Sequence, residues 1–424
     1  MRLELQFHIQ KMYINKSKIN IPKLLIDILT TLQDSGYKPY LVGGCVRDFL
    51  LNKAVKDFDI EVFGIENLEN LKLILEKYTK VHDIGKSFGV LKINIDDFDI
   101  DFSIPRVEKK VGKTHKSFEI KLLSNLNIKK AAKRRDFTIN AIYYDYFKDS
   151  FIDPFDGIKD LKKRKIRYID KKSFVEDSLR VFRAFGFASR FDFKITKKTK
   201  QLLKTIIKSG ELNNLSKERV FEELKKLLLK SKKPSVGLKL LDEFEIFKIS
   251  FVKKYKAIDK LSKIFENRDI DLKRALVLYF VVLLKDEKEE DVFEFLSKIT
   301  SDKKFINSVE SLCKESLEND IISLKKQSLN IVLEDLIFVE MAFGNKDIDL
   351  ILQKCEESDI LNKALKPHIM GVDLLDLGFT PSGDFKNILN FAMNLQIEEN
   401  LSKDELRGRI MKSFINPNNS ITFK

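Results

Sequence analysis

GGCVRDFLLNKAVKDFDIEVFG, residues 43–64, is the stretch on which the reading of this chain turns. Leu41-Val42-Gly43-Gly44 reads as the end of a strand and the start of a helix, CVRDFLL. Two glycines at such a turn let the backbone come close to a ligand, and the helix start beyond them favours an anion. Arg47, one turn in, could reach the same phosphate. Next, Asp57-Phe58-Asp59 alternates carboxylate, apolar, carboxylate, so a strand puts both acids on one face and Phe58 on the other. Two carboxylates that close repel each other unless a cation neutralises them, and Mg²⁺, a hard ion that takes oxygen ligands, is the natural candidate. A later run, FDIDFSIPR, offers Asp99 and Asp101 on a shared face. Three carboxylates around a pair of Mg²⁺ ions are the parts of a two-metal phosphoryl-transfer site, with one ion at the attacking hydroxyl and the other at the leaving pyrophosphate.

Outward from this stretch, the first 150 residues alternate two patterns. PYLVGG, FDIEVFG, GVLKINI and DFDIDFSI are rich in β-branched and aromatic residues and bounded by short turns, whereas CVRDFLLN and ENLENLKLILEKY are helical. They predict an α/β or α+β domain with a modest sheet. Beyond residue 150 helix-period runs dominate: DSLRVFRAFGFASRF, KERVFEELKKLLLK, LVLYFVVLL, LEDLIFVEMAF and FKNILNFAMNLQI. KDEKEEDV (285–292) reads as a solvated loop or helix start. The longest apolar run, Ala275–Leu284, falls short of the roughly 20 residues a membrane helix needs and reads as a buried helix. The N-terminus lacks the continuous apolar region of a secretory signal.

Composition narrows the function classes. The 424 residues carry 78 Lys and Arg against 64 Asp and Glu, a formal net charge of +14, which points to a polyanionic partner. With membrane anchoring set aside, that partner is nucleic acid. Thirty-four phenylalanines argue for burial rather than disorder. Three widely spaced cysteines, Cys45, Cys313 and Cys355, cannot form a disulfide scaffold and are expected as reduced thiols in the cytoplasm.

Taken together, these motifs resemble the class II tRNA nucleotidyltransferases (CCA-adding enzymes) and bacterial poly(A) polymerases. After the 43–64 stretch, RRDFTINAI (134–142), DPFDGIKDL (153–161), EDSLRVFRAFGFASRF (176–191), LSKERVFEELKKLLL (215–229) and KPSVGLKLLDEF (233–244) follow in the family's order, and GVDLLDLGFTPSGDFKNIL (371–389) is similar to its C-terminal segment. The resemblance implies an α+β chain: a nucleotidyltransferase head with a mixed, polymerase β-like sheet (21–150) behind an N-terminal extension (1–20), then an all-α neck (151–230), body (231–345) and tail (346–424). It implies Asp57 and Asp59 as Mg²⁺ ligands, with Asp101 as the third catalytic carboxylate. Gly43, Gly44, Arg47 and Arg135 would hold the triphosphate, and Asp136 would position neck residues. CTP and ATP are the implied substrates, tRNA the implied partner, and addition of CCA the implied reaction. Addition of CC alone or A alone, poly(A) synthesis, or a non-catalytic RNA-binding role are the alternatives.

Base choice is expected from the segment after Lys172. Ser173 and Glu176 read as a capping box, with Asp177, Arg180 and Arg183 recurring every three residues along one helix face. An Asp offers acceptors and an Arg a fork of donors, so together they can match the Watson–Crick edge of C or A. The resemblance assigns that role to Asp177 and Arg180, with Arg183 also touching nucleotide. It further implies a flexible loop over PRVEKKVGKTHKSFE (105–119). Two departures stand out. The family's EDPLR is EDSLR here, and Gly186 stands where some relatives carry another Arg. His8, His82, His115 and His368 lack the spacing of a phosphohydrolase cluster, so no second activity of that kind is expected.

Overall fold

Alternating apolar residues along the strand-like runs pair into one mixed sheet. The computed structural model describes residues 19–55, 57–85, 89–110, 118–122, 126–381 and 383–414. Its main sheet contains β1 (Lys38–Val42), β2 (Asp57–Phe63), β3 (His82–Gly85), β4 (Val90–Ile95), β5 (Phe98–Ser103), β8 (Tyr143–Asp145) and β9 (Ser150–Ile152), in the order β3-β4-β5-β2-β1-β8-β9. The β2–β5 pair is parallel and the others are antiparallel. β6 (Arg106–Lys110) and β7 (Phe118–Leu122) pair separately, starting in the segment expected to be a flexible loop (105–119) and running past its end; residues 111–117, with Gly112, lie outside the described residues. The sheet runs on to Ile152, past the expected head boundary at 150.

Helices α1 (Lys23–Asp34), α2 (Gly44–Leu50), α3 (Leu68–Leu75) and α4 (Ile128–Ala132) accompany the sheet. On α1 the buried residues are Leu25, Ile28, Leu29 and Leu32, the stripe expected of a helix lying on a sheet. Tyr40, Val42, Phe63, Ala131, Ala132, Ala141 and Tyr143 form a core on the sheet face shared with Asp57, Asp59 and Glu61, since Val42 pairs with Asp59 and Tyr40 with Glu61.

Beyond the sheet come α5 (Gly157–Lys162), α6 (Lys171–Val175), α7 (Arg180–Phe191), α8 (Lys197–Lys208), α9 (Lys217–Leu229) and α10 (Ser235–Glu243). α7 packs on α9 and α10. This part is not purely helical: β10 (Lys165–Ile166) pairs in parallel with β11 (Lys194–Ile195). A strand of two residues is too short to show alternation, so nothing in the sequence pattern marks it.

The chain divides into two compact units. The first runs to Val252 and includes Lys298–Ser301; the second comprises Lys253–Ser297 and the chain from Asp302 onward. The second unit is helical. Ala275–Leu284 lies within the helix Leu272–Leu284, almost wholly buried, and the charge run ahead of Val292 leads into the helix Glu289–Ile299. Two smaller cores follow, one around Leu333, Ile337 and Ile351, the other around Leu374, Ile388 and Leu406. Among the described residues no helix is long and apolar enough to cross a membrane.

Candidate active site

The acids converge because of strand register. β2 and β5 run parallel with Asp57 opposite Asp99 and Asp59 opposite Asp101, so all four carboxylates issue from one face of two neighbouring strands. Val42, the last residue of β1, lies opposite Asp59, which brings the glycine turn against the acid pair. Gly43 sits at φ +84°, and a Cβ placed there would lie 2.5 Å from Asp59 Oδ2. Any other residue would both strain the turn and collide with the carboxylate. The Gly44 amide at the start of α2 donates to Asp59.

Burial disfavours the charged forms of these carboxyls. Burial pushes Asp59 above the usual carboxylate range, opposed by Arg135, the Gly44 amide and Arg47, and reinforced by Asp57. Burial also raises Asp101; Lys92 opposes it while Asp59 and Asp99 add to it. Lys92 Nζ stands 3.5 Å from Asp101 Oδ1 and 3.6 Å from Asp99 Oδ2, yet the buried Asp101 Oδ1 accepts no hydrogen bond. Among the described residues no three His, Cys, Asp or Glu side chains converge closely enough to cage a metal on their own. The expected metal ligands, Asp57 and Asp59, stand side by side on β2, with Asp101 on the neighbouring strand and Lys92 Nζ 3.5 Å from it. Such a set fits a divalent ion that completes its shell with water and substrate phosphates, the usual habit of Mg²⁺.

The acids open on a cavity of about 560 Å³, lined also by Gly44, Arg47, Lys53, Arg190 and Lys230. Arg47 is already engaged: Nε and Nη2 donate to the two oxygens of Asp48 at 2.8 and 2.9 Å, and Nη1 donates to Asn140 Oδ1 at 2.6 Å. Arg135 does not line this cavity. It lies behind the turn, with Nη1 3.3 Å from where a Gly43 Cβ would stand and Nη1 donating to the Asn140 carbonyl at 3.4 Å.

RRD (134–136) ties the acid strand to the helix expected to select the base. Arg134 Nη2 donates to Glu61 Oε1 at 2.7 Å, and the Arg134 carbonyl accepts from Arg180 Nη2 at 2.5 Å. Asp136 accepts from the Phe137 amide, from Asn140 Nδ2 at 3.0 Å and from Arg183 Nε at 2.7 Å. Burial alone would raise the Asp136 carboxyl, but Arg183, Asn140 and Arg180 together hold it below the usual range. Arg183 also faces Glu223 of α9 at 3.7 Å.

The capping box does not form. Asp170 caps α6 by accepting from the Lys172 and Ser173 amides, and Ser173, now inside the helix, donates its hydroxyl to the Lys133 carbonyl. An Asp three residues before Ser173 is the stronger cap here because its carboxylate meets two free amides at once. Asp177 precedes α7, its Oδ1 accepting from the Leu179 amide at 3.2 Å, so Asp177, Arg180 and Arg183 are not one helical ridge. Asp177 accepts from Arg219 of α9 at 3.3 Å, and Arg180 is buried, with Nη1 donating to the Ser173 carbonyl at 2.9 Å. Ser178, at the family's proline position, is buried and donates to the Glu211 carbonyl, while a Cβ at Gly186 would meet nothing within 4 Å.

Sequence reasoning passed over Glu61. It follows Asp57 and Asp59 at the same two-residue period, is fully buried, and accepts from Tyr143 Oη at 2.6 Å as well as from Arg134. The alternation in DFDIE was the available signal; its partners lie some 80 residues away and left none.

Residues 39–167 match the family described as Poly A polymerase head domain, and residues 192–257 the one described as Probable RNA and SrmB- binding site of polymerase A. The chain is 32% identical over 400 residues to the CCA-adding enzyme of Lactococcus lactis subsp. cremoris (strain MG1363), covering 90% of this chain and 92% of the relative. It is 39% identical over 208 residues to the Multifunctional CCA protein of Aliivibrio salmonicida, covering 48% of each. Among solved structures, the Bacillus stearothermophilus CCA-adding enzyme in complex with CTP matches with a TM-score of 0.70 at 21% identity, over 92% of this chain and 98% of that one. The Thermotoga maritima CCA-adding enzyme complexed with tRNA matches with a TM-score of 0.65 at 22% identity, over 94% and 98%. With its acid strand and glycine turn in this arrangement, and a CCA-adding enzyme aligned along about nine-tenths of both chains, the protein belongs to the CCA-adding enzyme family of nucleotidyltransferases.

Proposed function

We propose that this chain adds C, C and A to the 3′ ends of tRNA from CTP and ATP, without a nucleic acid template and with release of pyrophosphate. The observation that carries the reading is the register that sets Asp57, Asp59 and Asp101 on one face beside the Gly43–Gly44 turn, open to a cavity with cationic side chains.

Enzymes of this family work with divalent metal ions. Here Asp57 and Asp59 would hold Mg²⁺, which when bound supplies Lewis-acid polarisation of the α-phosphate and activation of the attacking hydroxyl. Asp101, whose partly exposed carboxyl burial raises above the usual range, is the group suited to receive the proton of the 3′-hydroxyl as it attacks the α-phosphorus in line and pyrophosphate leaves. The Gly44 amide orients Asp59, and Arg135 supplies the buried counter-charge behind it. Asp177 and Arg180 would read the edge of the incoming base by exchanging their present partners, Arg219 and the Ser173 and Arg134 carbonyls, for it; only a matching base repays that exchange, which is what makes the choice steep. Arg183, fastened to Asp136, keeps the start of α7 in register with the acid strand. The net charge of +14 serves tRNA binding through phosphate and shape contacts. Its three cysteines are free thiols, which supports a cytoplasmic setting. Poly(A) synthesis is the less favoured reading, because the relatives aligned along 90% of this chain are CCA-adding enzymes.

The experiment is extension of tRNA lacking its 3′ end by the purified protein with Mg²⁺ and CTP or ATP, singly and together. CTP alone should give two additions, ATP alone none, and the mixture three. Failure to extend with any combination would sink the proposal, and a long adenylate ladder would replace it with poly(A) synthesis.

Gly43→Ala tests the turn. A Cβ at this φ costs about 1–2 kcal/mol and drives Asp59 Oδ2 from its place. Displacing a reacting group by an ångström can cost on the order of 100-fold in rate. The expected result is a fall of that order in kcat, with thermal melting showing a folded protein.

A further inference from the structure

One side-chain cluster on the cavity wall is left unused by the roles above. Phe191, the last residue of α7, has three cations about its ring: Arg47 Cζ at 4.8 Å, Lys53 Nζ at 4.8 Å and Arg190 Cζ at 5.3 Å from its centroid. Arg47 is spoken for by Asp48 and Asn140, and in binding it Asp48 uses both of its oxygens. Lys53 and Arg190 are different. Among the described residues neither side chain makes a hydrogen bond or an ion pair, and both line the cavity that holds Asp57 and Asp59. Lys53 is exposed and Arg190 is half-buried, so a ligand can reach both.

The carboxylates that act on these cations, Asp48 on both and Glu223 on Arg190, are already bound by Arg47 and by Arg183 and Lys226, so the crowded like charges are a site waiting for an anion. Burial lowers the proton affinity of Lys53, and Arg190, Arg47 and Lys232 lower it further against the pull of Asp48. Burial and Arg47 do the same to Arg190. An anion placed between them would relieve both effects. Of the anions this reaction brings, the β- and γ-phosphates of the incoming nucleotide carry several charges in one compact group, whereas an RNA backbone presents one charge per nucleotide. The density of cations matches the former.

Resting on the nucleotidyl-transfer reading above, we propose that Lys53 and Arg190 are a clamp for the β- and γ-phosphates of the incoming nucleotide, and so for the pyrophosphate that leaves, with Phe191 as the platform that sets their spacing. Arg190 reaches the cavity from the far end of the helix that Arg180 begins, a rise of about 15 Å, so one helix would address the base at its start and the polyphosphate at its end.

The test is calorimetric binding of inorganic triphosphate, with Mg²⁺, to the full chain and to Lys53→Met and Arg190→Met, which keep an apolar stem over the ring. Each lost charge-assisted contact should weaken triphosphate binding about 10- to 100-fold. Binding of tRNA at the same salt should be unchanged, and Lys53→Arg and Arg190→Lys should recover most of the loss. Unaltered triphosphate affinity in both Met variants would overturn the proposal, as would a loss that falls on tRNA binding instead. The readout is independent of turnover. A wild-type chain that binds triphosphate through these residues but never extends tRNA defeats the reaction, whereas one that extends tRNA with variants of full triphosphate affinity defeats the clamp.

Discussion

Asp59→Asn is expected to lower the rate of nucleotide addition on the order of 10³-fold, since an interaction of several kcal/mol with a metal and the developing charge is lost at about 1.4 kcal/mol per tenfold. The same change should leave the melting temperature of the metal-free protein within a few degrees of wild type. Two terms oppose each other there. Asn removes a carboxylate that burial and Asp57 both disfavour, which is stabilising. It also takes a counter-charge from Arg135, but Arg135 still faces Glu61 and Tyr143. Single-turnover extension beside a thermal melt separates the two effects. A variant that melts like wild type and still extends tRNA at the wild-type rate would show that Asp59 does not serve the reaction.

Glu61→Ala should do the reverse, costing stability first. Its fully buried carboxylate accepts from Arg134 and Tyr143. Truncation strands the Tyr143 hydroxyl and leaves Arg134 and Arg135 short of a counter-charge, a change that costs about 3–5 kcal/mol when a buried pair is broken. Urea denaturation monitored at neutral pH gives that number directly. Stability should also respond to pH in a defined way. Burial alone would raise Glu61, but Arg134 and Arg135, with Tyr143, more than offset it and hold the carboxyl below its usual value of 4.5. A carboxyl depressed in the folded state binds fewer protons there than in the unfolded chain. Its contribution is therefore full above that usual value and is lost as pH falls toward the folded-state value. Wild-type stability should drop steeply below about pH 4.5, and Glu61→Ala should show a shallower acid limb. Part of the limb should remain, because Asp136 is depressed as well and works with the same sign.

Local pattern reached far into this fold and stopped at identifiable points. The runs over β1, β2, β4 and β5 were legible because each is long enough for side chains to alternate, and the DFD and DFDID alternation placed Asp57, Asp59 and Asp101 on one face. β3, β8 and β9 have three or four residues each and owe their pairing to neighbours, so periodicity missed them. The segment after Lys172 shows a different failure. Ser173 and Glu176 have the spacing of a cap, but Asp170 lies three residues earlier and takes the amides, and Asp177 precedes the next helix, accepting from the Leu179 amide. Arg47 looked free to bind phosphate because Asn140 is 93 positions away in sequence and close only in the fold. Glu61 with Tyr143, and Asp136 with Arg183, are hidden for the same reason. What the sequence could not show, then, is which charges are already spent inside the fold; the proposed clamp rests on two that, among the described residues, are unspent, Lys53 and Arg190.

The central claim is that this chain builds a defined trinucleotide with no template. Its most direct test is the mass of a tRNA lacking its 3′ end after exhaustive incubation with the protein, Mg²⁺, CTP and ATP. One product is expected, heavier by two cytidylates and one adenylate, with no further growth. An unchanged tRNA, or a distribution of products that keeps lengthening with adenylate, would contradict it.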